Sequence, residues 1–399
     1  MKKQLLFVTQ YLHTGGIEKS LLTLLSDLDY KKYDVDLLLF DHSGVLFKSI
    51  PPQVNILPPL FETFSTPLLQ AAPELIKMGK FPILMGKILA ALLSKLSRGV
   101  GTGIRWGVYR NILHKPNKHY DIAISYIDFF CNYYVVEKVS ANRKIVYNHM
   151  DYAYSQKNGW PCIRLEKKAF SECDYIITVA ESSKKSLESF FPEYSNKMEV
   201  IHNRVAPNTV RAMANEVIEM KDTEYTKKLK IVTVARLVEE KGVFFALEAC
   251  KLLIEQGLDI CWFLIGSGPM YKELKKKSTE LGMEKNFILL GEKENPYPYM
   301  QFSDIYVQPS KTEAHCVAVE EAIALRCPIV VTDIPSFKHQ IENEKTGLIV
   351  NLSAQGIADG IKRIIFSNDL KEKLKNNLIN LDQRNEEHLM KFYKLIEGY

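Results

Sequence analysis

Pro309-Ser310-Lys311-Thr312-Glu313-Ala314-His315-Cys316-Val317-Ala318-Val319-Glu320-Glu321, with the apolar run from Ala322 that ends Cys327-Pro328-Ile329-Val330-Val331, decides how this chain folds. Ile305-Tyr306-Val307-Gln308 before it reads as a strand. Ser310 to Ala314 reads as a loop, Val317 to Leu325 as a helix and Ile329 to Thr332 as the next buried strand. Glu313 therefore stands at the mouth of a strand-to-helix turn, and Glu321 lies about two turns further on. Open α/β sheets bind ligands beyond the carboxyl ends of their strands. Two ionised carboxylates on one such loop suit a ligand with many hydroxyls, because each hydroxyl can donate to an acceptor-only group. A solvated helix with scattered acids contains the same residue types, so the surroundings must separate the two readings.

Two segments upstream belong with this one. One is Val232-Thr233-Val234-Ala235-Arg236-Leu237-Val238-Glu239-Glu240-Lys241-Gly242, the other Phe263-Leu264-Ile265-Gly266-Ser267-Gly268-Pro269. Together with Glu313 and Glu321 they resemble, in order and spacing, the carboxyl-terminal domain of family 4 glycosyltransferases. That family is marked by an Arg-(x4)-Lys-Gly turn, a Gly-x-Gly-Pro turn and a Glu-(x7)-Glu signature. The resemblance covers nearly the whole chain and is best over 231–350. It implies the GT-B arrangement, an α/β fold of two Rossmann-like domains facing across a cleft, and retaining, metal-independent sugar transfer.

Size and composition agree with that expectation. A chain of 399 residues predicts two domains or more with ample core. The seven cysteines are scattered and form no Cys-x-x-Cys pair, which argues against a disulfide framework or structural zinc and for a reducing compartment. The first apolar run, Leu5 to Val8, is shorter than the roughly seven residues of a signal-peptide core and reads as a first buried strand. No apolar run approaches the ~20 residues of a membrane span.

Strands and helices alternate along both halves, which implies parallel sheets wrapped by helices. In the first half the expected strands are Gln4 to Thr9, Val35 to Phe40, Asp121 to Tyr126, Lys144 to Asn148, Tyr175 to Val179 and Glu199 to Ile201. In the second they begin at Ile231, Trp262, Phe287, Ile305, Ile329 and Leu348. The polar stretch 206–230 reads as the linker. The expected domains are 1–205 on the acceptor side, 206–380 for the nucleotide sugar, and a terminal helix, 381–399, that in this family crosses back onto the first domain.

Residues 71–119 interrupt the alternation with nine Lys or Arg and a single acid, Glu74, interleaved with Ile, Leu, Met, Phe and Trp. Basic residues at helical spacing among apolar ones describe a helix lying on an anionic lipid surface, and Lys77, Lys80, Lys87 and Lys95 are the expected contacts. A plain pair of helices covering the sheet is the alternative.

The resemblance assigns the site residue by residue. Gly15 and Gly16, after the first strand and opening the first helix, correspond to the family's Gly-Gly turn near the donor phosphates. Paired glycines let backbone approach a ligand, and a helix amino end attracts phosphate. Arg236 and Lys241 would stabilise the departing diphosphate. Glu313 would hold hydroxyls of the donor sugar and Glu321 those of the ribose. Gly266 and the loop Ala314, His315, Cys316, Val317 complete the donor side, and His149 would sit by the reacting hydroxyls. Asn203 matches a structural Asn at the domain junction. Two departures stand out. Ala314-His315-Cys316 replaces the usual glycine and aromatic, as in a subgroup tending toward surface-polysaccharide synthesis, and Arg326 stands where many relatives have glycine.

Asp34-Val35-Asp36 imitates a metal-binding Asp-x-Asp, but it begins a strand, at the wrong end for a ligand site. It reads as solvated polarity, and no metal or other cofactor is expected. The expected function is transfer of a sugar from a nucleotide diphosphate sugar, a UDP-sugar, to a glycan or lipid-linked acceptor. The expected place is the cytoplasm, peripheral on the inner face of a bacterial membrane, with no nucleic-acid partner. A GT-B epimerase acting on nucleotide sugars and a non-catalytic partner subunit are the rival readings. A nicotinamide dehydrogenase is disfavoured because the Gly-x-Gly-x-x-Gly fingerprint is missing.

Overall fold

Among the described residues, thirteen short strands set the architecture. In the computed structural model, residues 2–13, 15–96, 101–218, 224–379 and 384–398 are described. The chain divides into two compact units: Met1–His13, Ile17–His202 and Phe392–Tyr399 form the first, Thr14–Gly16 and Asn203–Lys391 the second.

The first unit carries β1 (Lys3–Thr9), β2 (Tyr33–Leu39), β3 (Asn55–Ile56), β4 (His119–Ser125), β5 (Ser140–Asn148), β6 (Tyr175–Thr178) and β7 (Met198–Val200). They pair in parallel in the order β3-β2-β1-β4-β5-β6-β7. The second unit carries β8 (Leu229–Val234), β9 (Ile260–Ile265), β10 (Phe287–Gly291), β11 (Ile305–Gln308), β12 (Ile329–Thr332) and β13 (Leu348–Val350), in the order β10-β9-β8-β11-β12-β13. Parallel sheets are covered on both faces, so their strands are continuous apolar runs. β9, Ile-Cys-Trp-Phe-Leu-Ile, is buried at all six positions. In each sheet the chain order reverses beside one strand, between β1 and β4 and between β8 and β11. A crevice for ligand opens at such a reversal, beyond the strand ends.

The strands expected from the sequence are present except that β3 was missed. Its two residues are both exposed, so it lacks the buried apolar run that betrays the others. Asp36 also departs from expectation. It is buried rather than solvated, and it accepts hydrogen bonds from Lys118 Nζ (2.9 Å), the Tyr120 hydroxyl (2.9 Å) and Asn55 Nδ2 (2.8 Å). Asp34, one pleat away, is exposed and accepts from Gln4 Nε2. Period-two alternation puts the two carboxylates a pleat apart, and the buried one is already saturated.

The interruption after β3 folds as three helices, Leu68–Lys77, Phe81–Leu96 and Gly101–Tyr109. Ala90, Trp106 and Tyr109 join the main core of the first unit, and Trp106 Nε1 donates to Glu137 at 3.2 Å. Lys87 does not face outward as the sequence suggested. It is buried, and its ammonium donates to the carbonyls of Thr63 and of Thr66, the latter at 2.7 Å. Lys80 pairs with Glu62 at 2.5 Å. The side chain of Lys95 and the whole of Arg98 lie outside the described residues.

The last helix, Arg384–Glu397, ends in the first unit. Phe392 stacks on Phe7 with centroids 6.3 Å apart. The Tyr393 hydroxyl accepts from Asp29 N (3.0 Å) and donates to Asp27 O (2.9 Å), while Arg143 donates to Leu395 O at 2.6 Å. Residues from the far end of the chain thus complete the core beside β1. Phe392→Ala should therefore destabilise the first unit by about 3–5 kcal/mol, the usual cost of emptying a buried phenyl site. Urea unfolding would measure it, and a loss under about 1 kcal/mol would show that the helix is only laid on the surface.

Candidate functional site

The carboxyl ends of β8, β9 and β11 carry the side chains that matter, on either side of the reversal in the second sheet. After β8 the chain runs Ala235-Arg236-Leu237 into a short helical turn, Glu239–Lys241, closed by Gly242. Gly242 has φ +62°, and a Cβ there would lie 2.0 Å from the carbonyl oxygen of Pro309. After β9, Gly266 has φ +140°, and its Cβ would lie 1.9 Å from the carbonyl oxygen of Ala235. Only glycine tolerates both the positive φ and the backbone approach. The loops are then laced by main-chain hydrogen bonds: Leu237 N to Ser267 O at 2.8 Å and Lys311 N to Glu240 O at 2.7 Å. The Gly-x-Gly turn therefore holds the Arg/Lys turn, which in turn rests on the loop bearing Glu313.

Lys241 Nζ lies 2.6 Å from both carboxylate oxygens of Glu313. The side chains are 18% and 8% exposed, so each charge has lost most of its water and depends on the other. Glu313 has a second support that sequence reading missed. The Tyr306 hydroxyl donates to Gln308, Gln308 Nε2 to Ser310 Oγ at 2.9 Å, and Ser310 Oγ to Glu313 Oε1 at 2.8 Å. The available signal was Gln308 itself, a polar residue in a strand otherwise made for burial. Arg236 stands on the same turn as Lys241 but is exposed, and its side chain makes no hydrogen bond or ion pair among the described residues.

Glu321 lies on the helix Val317–Ala324 and is buried, accepting from the Tyr297 hydroxyl at 2.8 Å. Burial, then the neighbouring carboxylate, holds that phenol well above its ordinary pKa. Tyr297 is another partner that sequence did not suggest. In the loop between, Ala314 is buried and His315 Nε2 lies 3.5 Å from Glu320. Burial first, then the nearby His388, pushes the His315 pKa down to about 4, so the imidazole is neutral at physiological pH. The Cys316 main chain is held by Gln340, which accepts from its N–H (2.9 Å) and donates to its C=O (3.0 Å). Of the loop's amides, that of Cys316 is already engaged. Gly16, at the head of helix Gly16–Ser26, groups with this unit, as does Gly15; a Cβ on Gly16 would stand 2.9 Å from Val317 Cβ. Arg326 ends the helix that holds Glu321 at φ +56°, a conformation glycine adopts without cost.

His149 belongs to the first unit, at the end of β5. Its main-chain N–H donates to both oxygens of Asp128, at 3.0 and 3.1 Å, and its ring stacks on Tyr147 with centroids 5.3 Å apart. Asp128 follows β4, beside that sheet's reversal. Burial raises its pKa to about 7 against the lowering effect of the amides of His149, Asp128 and Met150. Asp128 was not expected from sequence: it fixes a loop through main-chain amides, which leave no side-chain pattern to read. Asn203, at the start of the second unit, is buried.

Residues 215–380 match the family described as glycosyl transferases group 1. An uncharacterized glycosyltransferase of Methanocaldococcus jannaschii is 26% identical over 176 residues, 44% of this chain and 43% of that protein. The N-acetylgalactosamine-N,N'-diacetylbacillosaminyl-diphospho-undecaprenol 4-alpha-N-acetylgalactosaminyltransferase of Campylobacter jejuni is 25% identical over 209 residues, 52% of this chain and 55% of that protein. The chain spans about half the length of the curated relatives it matches. Among solved structures, Anabaena HepE in complex with UDP-glucose is similar with a TM-score of 0.70 and 16% identity, covering 100% of both chains. The fold is that of the GT-B glycosyltransferases.

The lacing of the three loops generates one prediction. Gly266→Ala should cost about 1–3 kcal/mol, the scale of strain stored at a forbidden backbone position. The strain falls on Ala235 and hence on the turn that bears Arg236 and Lys241. Thermal unfolding checks this, and wild-type stability in the variant would contradict the lacing.

Proposed function

We propose that this chain, whose residues 215–380 carry a group 1 glycosyltransferase domain, moves a sugar from a UDP-sugar to a hydroxyl of a glycan or lipid-linked acceptor in bacterial polysaccharide synthesis, with retention at the anomeric carbon. The observation that carries this reading is the Lys241–Glu313 pair, set at the sheet reversal beside a free Arg236. An ammonium and a guanidinium on one turn suit a diphosphate. A carboxylate one loop away suits sugar hydroxyls.

On this reading an arriving diphosphate shares the Lys241 ammonium that Glu313 now holds. The freed lone pairs of Glu313 accept hydroxyls of the donor sugar. Glu321 takes the ribose hydroxyls beside Tyr297. The bond from the anomeric carbon to the phosphate oxygen breaks as the acceptor oxygen bonds to the same face of that carbon. The acceptor proton passes to the departing phosphate oxygen. Arg236 and Lys241 stabilise the negative charge that develops there, which is the role a divalent cation plays in other transferases. His149, held in the first unit by Asp128 and Tyr147, is the proposed contact for the acceptor hydroxyl. UDP is favoured because HepE, of like fold, was solved with UDP-glucose, and a lipid-linked acceptor because the Campylobacter relative acts on a diphospho-undecaprenol glycan. The enzyme works in the cytoplasm, peripheral on the inner face of the membrane. Donor incubated without acceptor should give no isomerised sugar, which separates transfer from epimerisation.

Arg236→Ala should lower turnover roughly a hundredfold, the scale of losing one charge-stabilising donor. Because the side chain is exposed, folding should not change. Steady-state transfer assays check this, and full activity in the variant would remove the assignment. Wild-type turnover should also survive excess chelator. Loss of activity with recovery on manganese or magnesium would overturn metal independence.

A further inference from the structure

We infer that the helices Leu68–Lys77 and Phe81–Leu96 present an apolar ridge that inserts into the interface of a phospholipid bilayer, and that insertion rather than lysine pairing holds the protein there. The inference deepens the reading above, which places the acceptor at a membrane. Phe81, Met85, Leu89 and Leu92 recur at helical spacing, so they share one face. They are 46–61% exposed, and Leu69, on the preceding helix, is 90% exposed. The opposite face of the same helix buries Leu84, Lys87 and Ala90. The helix is thus already anchored to the first unit on one side and apolar toward solvent on the other. Single exposed hydrophobic residues are ordinary, but a row on one helix face marks a surface that something covers.

Charge decides what covers it. The stretch 71–119 has nine basic residues and one acid, a balance that complements an anionic lipid surface and would be repelled by a basic one. Yet only part of that charge is free to bind lipid: Arg110 and Lys115, past the helix Gly101–Tyr109, are exposed, but others are engaged. Lys87 is buried against two carbonyls, Lys80 pairs with Glu62 and Lys118 with Asp36. Lys77, exposed at the end of the helix Leu68–Lys77, is the basic residue on these two helices left to meet a headgroup, among those whose side chains are described. Electrostatics therefore supplies orientation, and the ridge supplies most of the attachment. Among the described residues no helix is long and apolar enough to cross a membrane, so the contact is interfacial.

Co-sedimentation with vesicles, with no nucleotide present, tests this independently of catalysis. The probes are phosphatidylglycerol–phosphatidylcholine vesicles and pure phosphatidylcholine vesicles. Wild type should bind the mixed vesicles, keep most of that binding in high salt, and bind neutral vesicles measurably. The triple variant Leu69→Gln, Met85→Gln, Leu89→Gln should lose at least about tenfold in partitioning, since attachment scales with inserted apolar area. All three side chains are exposed, so its unfolding midpoint and its UDP-induced thermal shift should match wild type. Equal binding of variant and wild type overturns the proposal. So does complete release of wild type by salt, which would return the role to the lysines. A wild-type dimer that the variant converts to monomer would also overturn it, because the ridge would then be a contact between copies.

Discussion

Lys241 and Glu313 cannot both be where they are unless β8 and β11 are neighbours, and much of the second unit follows from that requirement. Each side chain has given up most of its water, so each would be costly alone. Their loops leave strands that lie 70 or so residues apart in sequence yet side by side in the sheet, at the point where strand order reverses. Gly242 lets the Lys241 turn touch the backbone of Pro309, and Gly266 lets the third loop close against Ala235. The polar relay Tyr306–Gln308–Ser310 threads the core of β11 to reach the carboxylate from below. A hydrophobic core of ordinary composition thus delivers a desolvated ion pair to a strand end. There a charged ligand can exchange with one member at little structural cost.

The strands were legible because parallel strands buried on both faces leave unbroken apolar runs, as in Ile260–Ile265. β3 was not, because two exposed edge residues leave none. The glycines were legible because they sit at turns, where a backbone constraint forces the residue type, and Lys241 and Glu313 were read through the family motifs that they resemble. Their supports were not. Tyr297, Gln340 and Asp128 act through partners about 20 residues or more away, or through main-chain amides, and nothing local distinguishes them from surface polar residues. Asp36 shows the same limit from the other side. An Asp at the start of a strand looks solvated until Lys118, Tyr120 and Asn55 are folded around it.

The inserted helices make a related point about charge. Counting lysines in 71–119 suggests an electrostatic surface, but packing decides which charges remain available. Lys87 is spent on two carbonyls that hold the loop 63–66, and Lys80 on Glu62. What packing leaves exposed on the helix Phe81–Leu96, among its described side chains, is apolar. Composition identified the unusual segment, and burial identified the force it can exert.

The central claim is that Lys241 and Glu313 divide a nucleotide sugar between them, ammonium to diphosphate and carboxylate to sugar. Calorimetric titration of UDP, which has the diphosphate but no sugar, into Lys241→Met and Glu313→Gln tests that division most directly. The account predicts that Lys241→Met weakens UDP at least about tenfold, as expected for loss of a charge-assisted contact. It predicts that Glu313→Gln binds UDP as well as wild type or better, because the ammonium is released, while transfer is lost. Unchanged UDP affinity in Lys241→Met, or equal weakening in both variants, would contradict it.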